Sequence, residues 1–255
     1  MKNLFINTAI LCLLILVSGC SPDIQTDVES QRDFEAEGYI SLFNGTDLEG
    51  WEIPEGDGGH WKVIDGVIDY DALSEAEGNK SLYTERDDFR DYDLHVEWRF
   101  TDTQLYDSMP FVLPNGEYAR DEDGEIFRWP RPNADSGILM RGGPQVQIWN
   151  WDVGSGELWG TRTNQNLSAE ERAKATPLRR ADHIPGEWNS FDITLRGDRV
   201  TVHLNDILVI EDGLLHNIGD EGPIGLQHHG GMREDGTMDP TSSEIQFRNI
   251  WIKEL

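Results

Sequence analysis

The chain has 255 residues, with 48 Asp and Glu against 21 Lys and Arg, a formal net charge of −27. So acidic a balance argues against nucleic acid, and against anionic membrane surfaces held by charge, as partners. Nine Trp beside 26 Gly suit a β domain that shows indole faces to sugars, because an indole stacks on the C–H face of a pyranose; the rest of the Trp set is core filler.

In chain order, Lys2 and the apolar run Ala9 to Val17 have the form of a secretory signal, too short for a membrane span. The run ends in Leu16-Val17-Ser18-Gly19-Cys20, small residues before a Cys, which resembles a bacterial lipobox. Residues 1–20 are therefore expected to be a lipoprotein signal peptide, with Cys20 the lipidated residue. The expected location is the bacterial cell envelope, at the outer membrane, periplasmic or surface-facing, with the lipid as the only membrane contact. Cys12 lies in the discarded segment, so the mature chain has no disulfide. Residues 21–37 are polar and acidic and read as a flexible tether. Residues 38–255 are enough for one large β domain.

Within that domain, short alternating runs are punctuated by turn residues. Ile40 to Phe43 meets Asn44-Gly45. Trp61 to Ile64 meets Asp65-Gly66 and returns as Val67 to Tyr70, a hairpin. Tyr92 to Phe100, Ser136 to Arg141 and Val146 to Trp149 follow. Trp188 to Leu195, Val200 to Leu204, Leu208 to Glu211, Ile224 to His229 and Ile245 to Ile252 complete the series. In the last run Ile245, Phe247, Ile250 and Trp251 read as core. Ser168 to Ala175 predicts a helix, with Ser168 as N-cap and Glu171 at the capping-box position. This pattern predicts an all-β sandwich or barrel. Thr101 to Asn133 and Trp151 to Pro185 read as long irregular insertions of the kind that form lids or binding loops.

Several strands carry an unusual second face. In Tyr92 to Phe100, Leu94, Val96, Trp98 and Phe100 make the core face, and His95, Glu97 and Arg99 the other. If these strands share one sheet, their second faces pool Glu97, Arg99, Arg141, Gln145, Gln147, Trp149, Gln227 and His229. The Arg fork and the two-sided amides suit vicinal hydroxyls; a satisfied hydrogen-bond lattice without a ligand is the alternative. Asp135 puts a carboxylate at the mouth of its strand, or serves a turn. Asp121 to Glu125 lacks the alternating ligands of a Ca²⁺ loop and reads as a solvated charge run. His228 and His229 are adjacent and point to opposite faces. His229 with Glu97 would suit a divalent metal, but no spacing marks such a site, and no cofactor is assigned. No phosphate loop, nucleophile elbow or His-Glu-x-x-His run is present.

Ser41 to Trp51, Trp61 to Gly66, Tyr92 to Trp98, Asp135 to Arg141, Val146 to Ile148, Gly186 to Asn189, Gly222 to Gly230 and Phe247 to Ile250 together resemble the 3-keto-disaccharide hydrolase domain family, earlier known as domain of unknown function 1080. The resemblance covers nearly all of residues 38 to 255. It implies a concanavalin-like jelly-roll β-sandwich with a concave sugar-binding sheet, and often a lipid-anchored protein of glycan-degrading bacteria. Many members carry Glu at the position of Gln145 and Asp at that of Asn150; this chain has amides, which cannot act as general bases.

The resemblance also implies a 3-keto sugar substrate. Oxidation at C3 acidifies the C2 hydrogen, so a base can make an enolate that expels the C1 substituent, and water can then add. In these terms Glu97 or His229 is the expected base and Asp135 a rim acid. Arg141 and Gln147 are expected to hold the keto oxygen and its neighbours, and Trp149 to stack on the ring. Arg99, Gln145 and Gln227 complete the expected substrate contacts. A lyase or hydratase, or a non-catalytic carbohydrate-binding lipoprotein, remains the alternative.

Overall fold

A computed structural model of the chain describes residues 32–101 and 105–255. The expected signal peptide, Cys20 and most of the expected tether lie outside the described residues. The strands in chain order are β1 (Ile40–Ser41), β2 (Trp51–Glu52), β3 (Lys62–Ile64), β4 (Val67–Tyr70), β5 (Leu82–Thr84), β6 (Tyr92–Phe100), β7 (Tyr106–Pro110), β8 (Arg128–Pro132), β9 (Asp135–Leu139) and β10 (Gln145–Trp149). Two short helices, α1 (Trp159–Arg162) and α2 (Ala169–Lys174), precede β11 (Asn189–Arg196), β12 (Arg199–Leu204), β13 (Ile207–Leu214), β14 (Gly225–Leu226) and β15 (Ile245–Glu254).

Turn chemistry sets the hairpins. Asp65 and Gly66 both have positive φ (50° and 80°) between the paired Ile64 and Val67, the backbone a two-residue hairpin turn needs. Asn205 and Asp206 (52° and 62°) do the same between Leu204 and Ile207. The expected helix is α2: the Ser168 hydroxyl accepts the Glu171 N–H at 3.1 Å.

The strands form two main sheets. The larger runs β13-β12-β11-β6-β15-β4-β3, with β1 also on β15, and the smaller runs β10-β9-β14-β5-β2. Both bury one face in a common core, which joins Ile68, Trp98, Phe191 and Phe247 of the larger sheet to Ile138, Val146, Ile148 and Leu226 of the smaller. Two-sided burial is what makes a sandwich, and the fold is the all-β sandwich expected.

Three readings change. The first insertion is not irregular, because β7 and β8 pair as a separate two-stranded ribbon. Trp251 is not core: the β6–β15 register shifts between Arg248 and Trp251, with Asn249 at φ 48°. The shift keeps Ile250 and Ile252 inside and turns the Trp251 ring outward, where Phe34 stacks on it at 5.3 Å. Phe34 to Glu37, read as the end of the tether, accordingly belong to the compact unit that runs from Phe34 to Leu255.

Candidate active site

The outer face of the smaller sheet is built in rows. Gln145 pairs with Leu139, Gln147 with Gly137 and Trp149 with Asp135. Gly225 lies between Leu139 and Tyr83. Beyond β14, the Gln227 N–H donates to the Gly137 carbonyl at 3.0 Å. Residues two apart on a strand share a face, so Asp135, Gln145, Gln147 and Gln227 converge. His229 continues the same phase, its Nε2 3.8 Å from the Asp135 carboxylate. Two glycines floor the site. A Cβ on Gly137 would stand 3.2 Å from both Gln145 and Gln227, and one on Gly225 would overlap the Tyr83 ring at 2.6 Å. The floor is bare so that long side chains can lie across it.

The polar groups form a directed chain. Gln145 donates through Nε2 to Gln147 Oε1, and Gln147 donates through Nε2 to Asp135 Oδ1. Both functional atoms of the fully buried Gln147 are thereby committed. Burial pushes the Asp135 carboxyl up to about 8; the Gln147 bond opposes the rise and the Glu157 charge adds to it. Burial pushes His229 below 6.5, only partly offset by the Asp239 charge and the nearby Thr241 carbonyl. Burial thus favours the neutral form of both groups, which sets an imidazole and a carboxyl side by side as a potential base and acid. His229 Nδ1 and Gln227 Oε1 are buried without a partner, and a polar atom left so costs about 1–3 kcal/mol.

Beside the end strand β10, the Gly156 N–H and the Glu157 carbonyl hydrogen-bond to the backbone of Gln147 at 2.8 and 3.0 Å. Glu157 is fully buried against the Arg162 guanidinium, which also reaches the Gly116 carbonyl and the Tyr118 hydroxyl. Burial raises Glu157 to about 7, against the pull of Arg162. Nothing in the local sequence marks this ion pair.

Trp149 is on the expected face, but it is 2% exposed. Trp151 stacks on it at 4.0 Å and 6°, and the Trp149 and Trp151 indole N–H groups donate to Gly154 O and Asn133 Oδ1. Of the pair, the half-buried outer ring is Trp151. Its spacing, two residues past Trp149, carried the signal; so did Tyr83, the middle residue of the short strand β5.

Four expected members or pairings fall elsewhere. Glu97 and Arg99 are on the outer face of the other sheet, because β6 pairs with β11 and β15 and not with β9 or β10. There Glu97 accepts from Arg248 at 2.6 Å and Asn249 at 2.7 Å. Burial works against its charge, yet bonds from His95, Asn249 and Arg248 hold it down to about 2, so it is a poor base as well as a remote one. Arg99 donates to Gln246 at 2.7 Å. Arg141 follows β9 in a positive-φ turn (49°) at the end of the strand opposite Asp135. All five of its N–H donors are spent on Arg90 O, Gly197 O, Gly219 O and Asp91 Oδ1, which leaves none for a keto oxygen. The Glu97–His229 metal pairing fails because the two lie on different sheets. Among the described residues no group of three or more His, Cys, Asp or Glu could hold a metal ion.

The remaining motifs serve the scaffold. Asp121 Oδ1 accepts the Asp123 and Glu125 N–H groups in a turn. His228 faces away from His229, with Nδ1 2.5 Å from the Tyr70 hydroxyl, and burial, Lys80 and His229 lower it to about 4.

A β-sandwich with an amide-lined, glycine-floored outer face flanked by an aromatic ring defines a class of protein suited to polyhydroxylated ligands. The chain belongs to the family of 3-keto-alpha-glucoside-1,2-lyase-like domains, whose model matches residues 38–253. It is 24% identical over 265 aligned positions to a Bacteroides thetaiotaomicron protein named 3-keto-disaccharide hydrolase, covering 88% of this chain and 81% of that one. A crystal structure from Parabacteroides distasonis, provisionally described as a glycosyl hydrolase, superposes with a TM-score of 0.50 at 20% identity, over 88% of this chain and 97% of that one. A second from the same organism, described in the same way, gives 0.49 at 18%, over 85% and 99%.

Proposed function

We propose that the chain is a carbohydrate-active enzyme that cleaves the glycosidic bond of 3-keto glucosides or 3-keto disaccharides. The observation that carries this reading is the side-by-side placement of His229 and Asp135, 3.8 Å apart on the amide-lined face. Neutral His229 takes the C2 proton, and the electrons form the enolate on the C3 oxygen. Its collapse breaks the C1–O bond, and the leaving oxygen takes the Asp135 proton. Water then adds across C1 and C2: Asp135 accepts a water proton as the hydroxyl joins C1, and His229 returns its proton to C2. The net change is hydrolysis; stopping before water adds makes the enzyme a lyase. The Gln227 amide and the remaining N–H of Gln145 are the donors for the enolate oxygen, and Trp151 is the stacking platform. A positioned acid or base contributes about 10²–10⁴ in rate.

The test is incubation of the purified protein with a 3-keto-glucoside and with the same glucoside unoxidised. Release of the aglycone from the oxidised compound alone is expected, and full turnover by both His229→Ala and Asp135→Asn would refute the assignment. A non-catalytic sugar-binding role is the second reading, favoured by the fact that the outer face of β10 carries two amides and an indole but no carboxylate. Calorimetric binding of intact and oxidised disaccharides without product would establish it.

For location, we propose lipidation at Cys20 and residence in the cell envelope. Loss of lipid labelling and release into the soluble fraction by Cys20→Ala is the expected result; unchanged membrane association would end the idea.

A further inference from the structure

The ribbon β7–β8 is tied to the site in a way the chemistry above does not use. Trp129, Arg131, Asn133 and Asp135 stand at alternate positions along the chain, and each of the first three is fixed. Asn133 Oδ1 holds the Trp151 indole N–H at 2.9 Å. Arg131 Nε donates to Asp152, the residue after Trp151, at 3.0 Å, while its guanidinium lies 3.6 Å over the Trp129 ring. Phe111 and Phe127 extend the cluster, their centroids 6.0 and 6.2 Å from that of Trp129, and Phe127 is 42% exposed. A wall of flat groups therefore leads outward from Asp135 through Trp151, Arg131 and Trp129 to Phe127. At about 3.3 Å per extended residue, the six steps from Asp135 to Trp129 amount to roughly 20 Å of chain, longer than a single sugar ring.

The chemistry of this wall differs from that of the floor. The floor offers amides. The wall offers indole, phenyl and guanidinium planes, and its central charge is already neutralised by Asp152. The side-chain polar groups left unspent along the wall, the terminal N–H groups of Arg131 and the buried Trp129 indole N–H, are donors only, so a second pyranose finds no side-chain acceptor for its hydroxyls, whereas a flat apolar ring finds stacking surfaces at each step. Resting on the reading of the site as a 3-keto-glycoside cleavage centre, we propose that this wall is a leaving-group subsite that selects glycosides with an aromatic aglycone, and that Trp129, Arg131 and Phe127 determine this specificity.

The experiment compares kcat/KM for methyl and 4-nitrophenyl 3-keto-glucosides and for a 3-keto-disaccharide, in the parent chain and in Trp129→Ala, Arg131→Ala and Phe127→Ala. An aryl group leaves more readily by itself, so the readout is the change in the aryl-to-methyl ratio on substitution. The ratio is expected to fall roughly three- to tenfold in each variant, with methyl turnover within twofold of the parent. Methyl turnover also reports folding, since a collapsed ribbon would release Asn133 and Trp151. Exposed Phe127 gives a variant that leaves the fold intact. An unchanged ratio, or a selective loss on the disaccharide, overturns the proposal. If no compound is turned over, the cleavage reading fails by itself. Calorimetric binding of 4-nitrophenyl against methyl 3-keto-glucoside then decides the wall: the same variants must weaken the aryl ligand selectively, and equal affinities overturn it.

Discussion

The outer faces of the two sheets carry similar residues and differ in how their hydrogen bonds end. On the larger sheet the groups close on one another. Glu97 is held by Arg248 and Asn249, Arg99 by Gln246, Gln246 by Asp69, His95 by Asp192 and Asp93 by Thr194. On the smaller sheet the chain Gln145–Gln147–Asp135 runs toward His229 and stops, with Gln227 Oε1 and His229 Nδ1 unpaired. A closed lattice has no donors or acceptors to give a substrate. An open one carries an energetic penalty that a ligand relieves. Polarity on a strand face therefore says little about a site until its partners are counted.

The largest effect that can break this comparison is catalytic. His229→Ala and Asp135→Asn are each expected to lower kcat by about 10²–10⁴. Glu97→Gln, on the closed face, should leave the rate near that of the parent and cost about 1–2 kcal/mol in urea unfolding. A rate loss in Glu97→Gln as deep as in His229→Ala would remove the distinction between the faces.

Next in size is a stability effect without a catalytic one. Arg141 is 4% exposed at its side chain and joins the loop before β6, the β11–β12 turn and the loop before β14. Arg141→Met strands these carbonyls and should cost about 3–5 kcal/mol, read from denaturant curves. Below its unfolding transition the variant should keep the parent KM; a raised KM at unchanged stability would return Arg141 to the substrate.

The pH profile sharpens the assignment of acid and base. The base must be neutral, so kcat/KM rises with pH through the pKa of His229, which burial places below 6.5. The acid must be protonated, so the rate falls above the pKa of Asp135, about 8. A bell with these limbs is expected, at about tenfold per pH unit on each side. Asp135→Asn should erase the alkaline limb along with most of the rate. A profile that is flat to pH 10 would exclude Asp135 as the acid.

The smallest effect concerns the edge of the folded unit. Phe34 stacks on Trp251 and lies 4.6 Å from the His95 ring. Phe34→Ala should cost about 1 kcal/mol and leave turnover untouched. A thermal melt identical to the parent would return these residues to the tether.

Much of this was readable locally. Alternation put Gln145 with Gln147, and Gln227 with His229, on shared faces, because strand geometry fixes that phase within a few residues. Asp65-Gly66 and Asn205-Asp206 gave their hairpins for an equally local reason. What alternation misses crosses long distances: it groups Glu97 with β10 although β6 pairs with β11 and β15, it offers Arg141 to a ligand although three distant loops consume it, and it leaves Trp149 open although Trp151 covers it. Pro130 and Pro132 hid β8, since proline removes ladder donors and argues against a strand, yet a two-stranded ribbon has edges that tolerate it.

What the sequence determined by itself is the β character, the turns, the α2 cap and which residues share a strand face, all consequences of backbone stereochemistry over a few positions. What only the tertiary structure decided is which faces meet. Strand order between sheets, the burial of Glu157 and Arg162 against Gly116 and Tyr118 and the approach of His229 to Asp135 depend on contacts between segments far apart in the chain. Burial in that assembly moves both groups away from their ordinary pKa values and toward their neutral forms.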